Sequence, residues 1–95
     1  MSVGVPCYLV EWYQAVLTEQ ALDETAARLN DCATSMSTRG CRVQLLTMLA
    51  VPTDEVVFGV FTATSEGAVT RTCDCAGLPA QRVTTATEVE FPREP

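Results

Sequence analysis

The segment CRVQLLTMLAVPTDEVVFGVFTA, residues 41–63, decides the fold of this chain. Its two ends, residues 41–51 and 55–63, are rich in aliphatic, β-branched and aromatic side chains, and each predicts a β-strand. Pro52, Thr53 and Asp54 lie between them, with proline at a position that turns favour. We therefore predict that the two strands form an antiparallel hairpin.

A helix is predicted before this hairpin. Five apolar residues follow one another in steps of four and three, which places them on one helical face: Leu22, Ala26, Leu29, Ala33 and Met36. Thr18 predicts the N-cap of this helix, with Glu19 in its first turn, and Gly40 predicts its end.

A second helix and two more strands flank the hairpin. Ser65 predicts the N-cap of a shorter helix with the apolar stripe Val69, Cys73 and Ala76, and the segment GLP, residues 77–79, predicts its end. Residues 6–13 (PCYLVEWY) and 81–91 (QRVTTATEVEF) predict the first and fourth strands.

The order of these elements, β-α-β-β-α-β, predicts an α+β fold in a single domain that spans residues 1–95. Right-handed crossover connections favour the ferredoxin-like sandwich. In that arrangement an antiparallel sheet has the strand order 4-1-3-2, and both helices cover one of its faces.

The helix-free face of this sheet is the basis for a predicted homodimer. The central strands one and three are apolar on both sides, whereas a half-exposed strand alternates apolar and polar residues. The uncovered face measures on the order of 400 Å², and an apolar patch of that size is unusual on a monomer. A second copy packed sheet to sheet, as in a dimeric α+β barrel, would cover it. The alternative is a monomer whose outer face is polar through its edge strands, as Thr84, Thr85, Thr87 and Glu88 suggest.

The charge of the chain limits its partners. The net charge is −6, and all six cationic side chains are arginines. An acidic protein repels phosphate backbones and anionic lipid surfaces, so we expect no nucleic acid and no membrane as partner. No apolar run approaches the roughly 20 residues that span a bilayer, and the N-terminus lacks the basic region of a signal peptide. We therefore expect a cytoplasmic protein with reduced thiols.

Histidine is absent, and five cysteines are present. The absence of histidine excludes Ser-His-Asp and Cys-His nucleophile systems and removes the commonest ligand of transition metals. Cys73 and Cys75 are two residues apart, and on a helix such residues point about 200° away from each other. We therefore predict no metal ligand and no cofactor, while thiolate metal or redox binding through Cys73 or Cys75 is an open alternative.

Glu11 is an ionisable residue in an otherwise apolar strand, where an unpaired buried carboxylate is costly. It either pairs with Arg82 on strand four, or it faces a cavity together with Tyr13. Tyr8 and Trp12 either line a ligand pocket around Glu11 or belong to the core. Phe58 is a further candidate residue of that pocket.

Two functions from different classes follow from this candidate pocket. The first is a homodimeric binding protein that holds a small, partly apolar ligand. The second is a cofactor-free enzyme of the dimeric α+β barrel type, such as a small monooxygenase or isomerase. In that enzyme Glu11 would be the proton-transfer group, with Arg82 or Tyr13 as its polar partner.

Three segments carry a resemblance to known proteins: YLVEWY (residues 8–13), PTDEVVFGVF (residues 52–61) and AGLPAQRV (residues 76–83). They resemble a group of small actinobacterial proteins of unknown function. That group looks related to the ferredoxin-like nickel-binding proteins of streptomycetes, whose subunits pair as a dimeric α+β barrel. The resemblance implies the same fold and the same homodimer. It brings no metal ligand to this chain, because nickel favours imidazole ligands and the chain has no histidine.

Overall fold

A computed structural model describes residues 6–13 and 19–87, which contain four β-strands, two α-helices and one 3-10 turn. In chain order these are β1 (Cys7–Trp12), α1 (Glu19–Thr38), β2 (Val43–Val51), the turn (Pro52–Asp54), β3 (Val56–Ala63), α2 (Glu66–Cys75) and β4 (Arg82–Ala86). The predicted α+β class and the predicted order of elements are confirmed. Neither α-helix in these residues has the length and apolar character needed to cross a membrane.

The four strands form one antiparallel sheet in the order β2-β3-β1-β4. This is the predicted order 4-1-3-2 counted from the other edge. β1 and β3 are the central strands, and their register places Val10 opposite Gly59. The ladder between β2 and β3 shifts between Leu45 and Thr47, which leaves an extra residue in the edge strand β2.

A glycine two residues after each helix terminates it, as the sequence predicts. Gly40 and Gly77 have φ angles of 89° and 73°, which glycine adopts without the steric cost that other residues carry. After each helix, the N–H of the residue that follows the glycine donates to a carbonyl five residues earlier. These hydrogen bonds measure 3.0 Å after α1 and 2.9 Å after α2, and they satisfy carbonyls that a helix end leaves open.

The remaining boundaries agree with the prediction in part. Ser65 caps α2, because its Oγ accepts a hydrogen bond from the N–H of Ala68 at 3.2 Å. The predicted cap at Thr18 lies outside the described residues, as does the predicted end of the fourth strand. β2 begins two residues later than predicted, since the N–H of Cys41 is bonded to the end of α1.

The core lies between the sheet and the two helices. Its largest fully buried side chains include Trp12, Phe61, Leu29, Val10 and Val69. Trp12 is 2% exposed, and its indole N–H donates to the carbonyl oxygen of Leu78 at 2.8 Å, so the polar atom of the ring has a partner. The same ring covers Gly59, where an added Cβ would lie 2.9 Å from Cζ3 of Trp12. Close packing therefore requires glycine at this position.

Candidate functional site

We call the sheet face opposite α1 and α2 the open face. Successive side chains of a strand point to opposite faces, so the neighbours of the buried core residues lie on the open face. Cross-strand pairing arranges them in rows. One row is Leu49, Phe58, Glu11 and Arg82, and the next is Thr47, Val60, Leu9 and Thr84.

The middle of the open face is apolar. Leu9, Phe58 and Val60 are half-buried by their neighbours within the sheet, and Leu49 on β2 is 59% exposed. Threonines of the edge strands β2 and β4 flank these residues. An apolar centre with a polar rim is typical of a surface that contacts a partner or a ligand.

Glu11 lies on the open face and has two side-chain partners. Its Oε2 is 3.8 Å from Nε of Arg82, and its Oε1 accepts a hydrogen bond from the hydroxyl of Tyr13 at 3.3 Å. The Glu11 side chain is 16% exposed and that of Arg82 is 65% exposed. The two residues are direct cross-strand neighbours, and opposite charges in that position stabilise a sheet. Of the two arrangements predicted for Glu11, the structure has the pair with Arg82.

Hydrogen bonds of Gln81 fix the end of the sheet beside this pair. The N–H of Gln81 donates to the carbonyl oxygen of Glu11 at 2.9 Å, and the N–H of Tyr13 donates to Oε1 of Gln81 at 3.0 Å. The side chain of Tyr13 is itself exposed. These hydrogen bonds hold Tyr13 and Arg82 next to the Glu11 carboxylate, with both side chains accessible to a ligand.

The structure divides the six predicted pocket residues between the two faces of the sheet. Tyr8 and Trp12 lie in the core on the helix side; the other four, Glu11, Tyr13, Phe58 and Arg82, lie on or beside the open face. Because neighbouring residues of a strand point in opposite directions, Trp12 and Glu11 do not line one pocket. Tyr8 and Trp12 are core residues, and the remaining four form the candidate site.

An open cleft of about 550 Å³ lies at the end of the sheet where α1 ends and β2 begins. Its polar lining comprises Ser37, Arg42, Gln44, Thr62 and Thr64. None of the six predicted pocket residues lines it. Its walls come from α1, β2 and β3 and meet only in the folded chain, so the local sequence patterns did not indicate it.

The five cysteines, all within the described residues, form no disulfide. Burial of Cys73, and to a lesser extent the charge of Asp74, raises the pKa of the Cys73 thiol to about 12. Cys73 is therefore a protonated core residue that behaves as a small apolar side chain. In residues 6–13 and 19–87, no three cysteine or carboxylate side chains come together as the ligands of a metal would. Cys73 thus gives no support to the thiolate metal alternative.

Comparison with known proteins adds evidence on the fold. No protein-family model matches the chain, and no curated protein matches it in sequence. The fold is that of a small α+β protein with two helices on one side of a four-stranded antiparallel sheet, and a solved structure shares it. This is the crystal structure of SCO4226 from Streptomyces coelicolor A3(2), with a TM-score of 0.73 over 92% of this chain and 99% of that chain. The two sequences are 16% identical, so the similarity concerns the fold, and it supports the predicted resemblance to a small actinobacterial protein.

Proposed function

We propose that two copies of this ferredoxin-like chain pair through their open faces as a dimeric α+β barrel, and that the dimer binds a small, partly apolar ligand between the two sheets. The observation that carries this proposal is the apolar middle of the open face, which α1 and α2 leave uncovered. Leu49 is the most exposed residue of that patch, and a second sheet packed on this face would cover it.

Continuity of the apolar residues favours the homodimer. The apolar residues lie on adjacent strands, with Phe58 between Leu49 and Glu11, so they form one patch rather than scattered side chains. The whole open face, with its polar edges, measures on the order of 400 Å², and contiguous apolar patches on a protein surface often mark interaction sites.

The proposed ligand is defined by the polar groups next to the patch. Arg82 and Tyr13 are exposed, and Arg82 keeps donors that its contact with Glu11 does not use. A ligand with an apolar body and one anionic group would place the body on Phe58 and Leu49 and the anionic group on Arg82.

Catalysis by Glu11 is not part of this proposal. A general base must reach the proton that it removes, but both carboxylate oxygens of Glu11 already have partners in Arg82 and Tyr13. The cleft of about 550 Å³ lies at a different part of the sheet. The observations therefore favour binding over proton transfer.

The oligomeric state of a Leu49→Glu variant tests the homodimer. By size-exclusion chromatography with light scattering, the wild type at micromolar concentration should have twice the mass of one chain. Leu49→Glu should be a monomer, because a buried unpaired carboxylate costs several kcal/mol. Ala27→Glu adds the same charge at an exposed position of α1 and should stay dimeric. A monomeric wild type contradicts the homodimer, and a dimeric Leu49→Glu variant contradicts pairing through the open face.

Binding of anilinonaphthalene sulfonate tests the proposed ligand site, because this fluorescent probe has an apolar body and one anionic group. The wild-type dimer should enhance the emission of the probe. Arg82→Gln should weaken its binding by about tenfold while the dimer persists, since one charge-assisted contact is lost. Arg28→Gln, at an exposed position of α1, should bind the probe as the wild type does. A dimer that leaves the probe emission unchanged contradicts the ligand site but not the dimer.

A further inference from the structure

The cleft of about 550 Å³ at the end of the sheet has a size typical of small-molecule sites, which measure roughly 300–1,000 Å³. The described residues that line it include Arg42 and no carboxylate, although the chain has twelve acidic residues. A second guanidinium lies beside the cleft, since Nη2 of Arg71 is 3.9 Å from Sγ of Cys41, the residue before Arg42. These cationic groups on an acidic protein favour an anionic ligand at this place.

Strand pairing brings four polar side chains of the lining together. Gln44 on β2 is the cross-strand partner of Thr62 on β3. Just beyond these strands, the N–H of Thr64 donates to the carbonyl oxygen of Arg42 at 3.0 Å. Residues two apart on a strand point to the same face, and side chains of cross-strand neighbours start about 5 Å apart. One small molecule can therefore contact all four side chains, which we call the cleft quartet: Arg42, Gln44, Thr62 and Thr64.

Hydrogen bonds fix the backbone beneath the cleft quartet. Near the end of α1, the Oγ of Ser37 accepts a hydrogen bond from the N–H of Val43 at 3.3 Å and donates one to its carbonyl oxygen at 3.3 Å. The carbonyl oxygen of Arg42 is held from the other side by Thr64. The start of β2 is thus bonded to both α1 and the end of β3. A ligand then has to order only side chains, which lowers the entropic cost of binding.

The polar groups of the cleft quartet are available to a ligand. Among the described residues, no carboxylate forms an ion pair with Arg42, whereas Arg82 pairs with Glu11. Arg42 and Gln44 are exposed, and Thr62 is half-buried. The guanidinium, the amide and a hydroxyl can therefore all bind a molecule in the cleft without breaking an ion pair.

We propose that the cleft binds a small hydroxycarboxylate, a ligand with one carboxylate and several hydroxyl groups. The guanidinium of Arg42 can donate two parallel hydrogen bonds to the carboxylate. The amide of Gln44 both donates and accepts, as does each threonine hydroxyl, and such groups match the hydroxyls of the ligand. The carbon chain of the ligand lies on the methyl groups of the threonines.

This site is separate from the one proposed around Arg82. Cys7 is the cross-strand partner of Thr62, and Glu11, the partner of Arg82, lies four residues further along β1, a distance of about 13 Å. The whole lining comes from one chain. The inference therefore rests neither on the homodimer nor on the ligand site at Arg82, and a monomeric protein would keep the cleft.

Titration of the nitrogen-15-labelled full chain with gluconate, followed by the NMR signals of the backbone amides, tests the proposal. Gluconate has one carboxylate and several hydroxyls. Sorbitol keeps the hydroxyls without the carboxylate, and hexanoate keeps the carboxylate without the hydroxyls. Gluconate should shift the signals of residues 37, 42–44 and 62–64 to saturation, and the other two compounds should bind there at least about tenfold more weakly. The proposal is overturned if gluconate leaves these signals in place, or if sorbitol or hexanoate binds equally well.

Three variants sharpen the result. Arg42→Gln should weaken gluconate binding about tenfold, because a charge-assisted contact is lost. Arg39→Gln, the matched control, removes the same charge from an exposed residue that does not line the cleft, and it should bind gluconate as the wild type does. Thr62→Val keeps the shape of the side chain and should weaken gluconate binding about fivefold while leaving hexanoate binding unchanged.

The variants also show how the inference would fail. If Arg39→Gln weakens gluconate binding as much as Arg42→Gln does, net charge rather than the cleft attracts the ligand, and the proposal is wrong. Wild-type affinity of Arg42→Gln or Thr62→Val for gluconate overturns it as well. The amide spectrum of each variant shows whether it is folded, and the wild-type titration stands even where a variant is not.

Discussion

Replacing Gly59 by alanine tests how tightly the core is packed beneath the helices. The new Cβ would lie 2.9 Å from Cζ3 and 3.0 Å from Cη2 of Trp12, and 3.3 Å from Cε1 of Phe61. Both rings are fully buried, so neither can swing into solvent. Overpacking a core costs about 1–3 kcal/mol, whereas the loss of glycine's freedom in the unfolded chain returns only about 0.5–1 kcal/mol. We expect a net loss of about 1–2 kcal/mol, which lowers the Tm of a domain this size by about 5–15 °C.

Urea unfolding followed by far-ultraviolet circular dichroism measures this loss. Gly67→Ala is the matched control, since its new Cβ would meet Nη1 of Arg71 at 3.5 Å, an ordinary contact. Alanine on that helix should stabilise the protein by about 0.5–1 kcal/mol. The cost of Gly59→Ala should also shrink in a Trp12→Phe background, because the smaller ring removes part of the clash. A Gly59→Ala variant as stable as the wild type would refute the reasoning.

Two more substitutions test single contacts. Ser65→Ala should lower the free energy of unfolding by about 1 kcal/mol, because it removes the acceptor for the N–H of Ala68. Ser65→Asp should keep wild-type stability in urea unfolding. Equal stability of the wild type and both variants would contradict the role of Ser65 as a helix cap. Glu11→Gln, measured in the Leu49→Glu background to exclude subunit contacts, should change the free energy of unfolding by less than about 1 kcal/mol, because Arg82 is 65% exposed. A larger loss would mean that the carboxylate does more than form a surface pair.

The parts of the fold that the sequence predicts well depend on local chemistry. Pro52 marks the turn between β2 and β3, and Gly40 and Gly77 mark the helix ends because those positions have positive φ. Ser65 marks the start of α2 because its side chain replaces a missing helical acceptor. Each of these effects acts within a few residues, so spacing along the chain is enough to reveal it.

The candidate site is predictable only in part, because side-chain direction and distant contacts decide it. The strand order alone brings Arg82 beside Glu11. The aromatic character of Trp12 suggests a pocket next to Glu11. Successive side chains of a strand point to opposite faces of the sheet, however, so Trp12 and Glu11 do not share one. The cleft beside Ser37 and Arg42 depends on how α1 lies against β2 and β3, and no local pattern encodes that.

Trp12 is the one tryptophan of the chain, and it connects three distant segments. It ends β1, covers Gly59 on β3 and donates to the carbonyl of Leu78 after α2. Its intrinsic emission is therefore an optical reporter of the junction between the first strand and the loop before the last one. Fraying at the start of a helix leaves the indole out of contact with water, so the emission maximum of Trp12 stays unchanged. A red shift of that maximum signals that water has entered this junction, and unfolding there can be followed without an added dye.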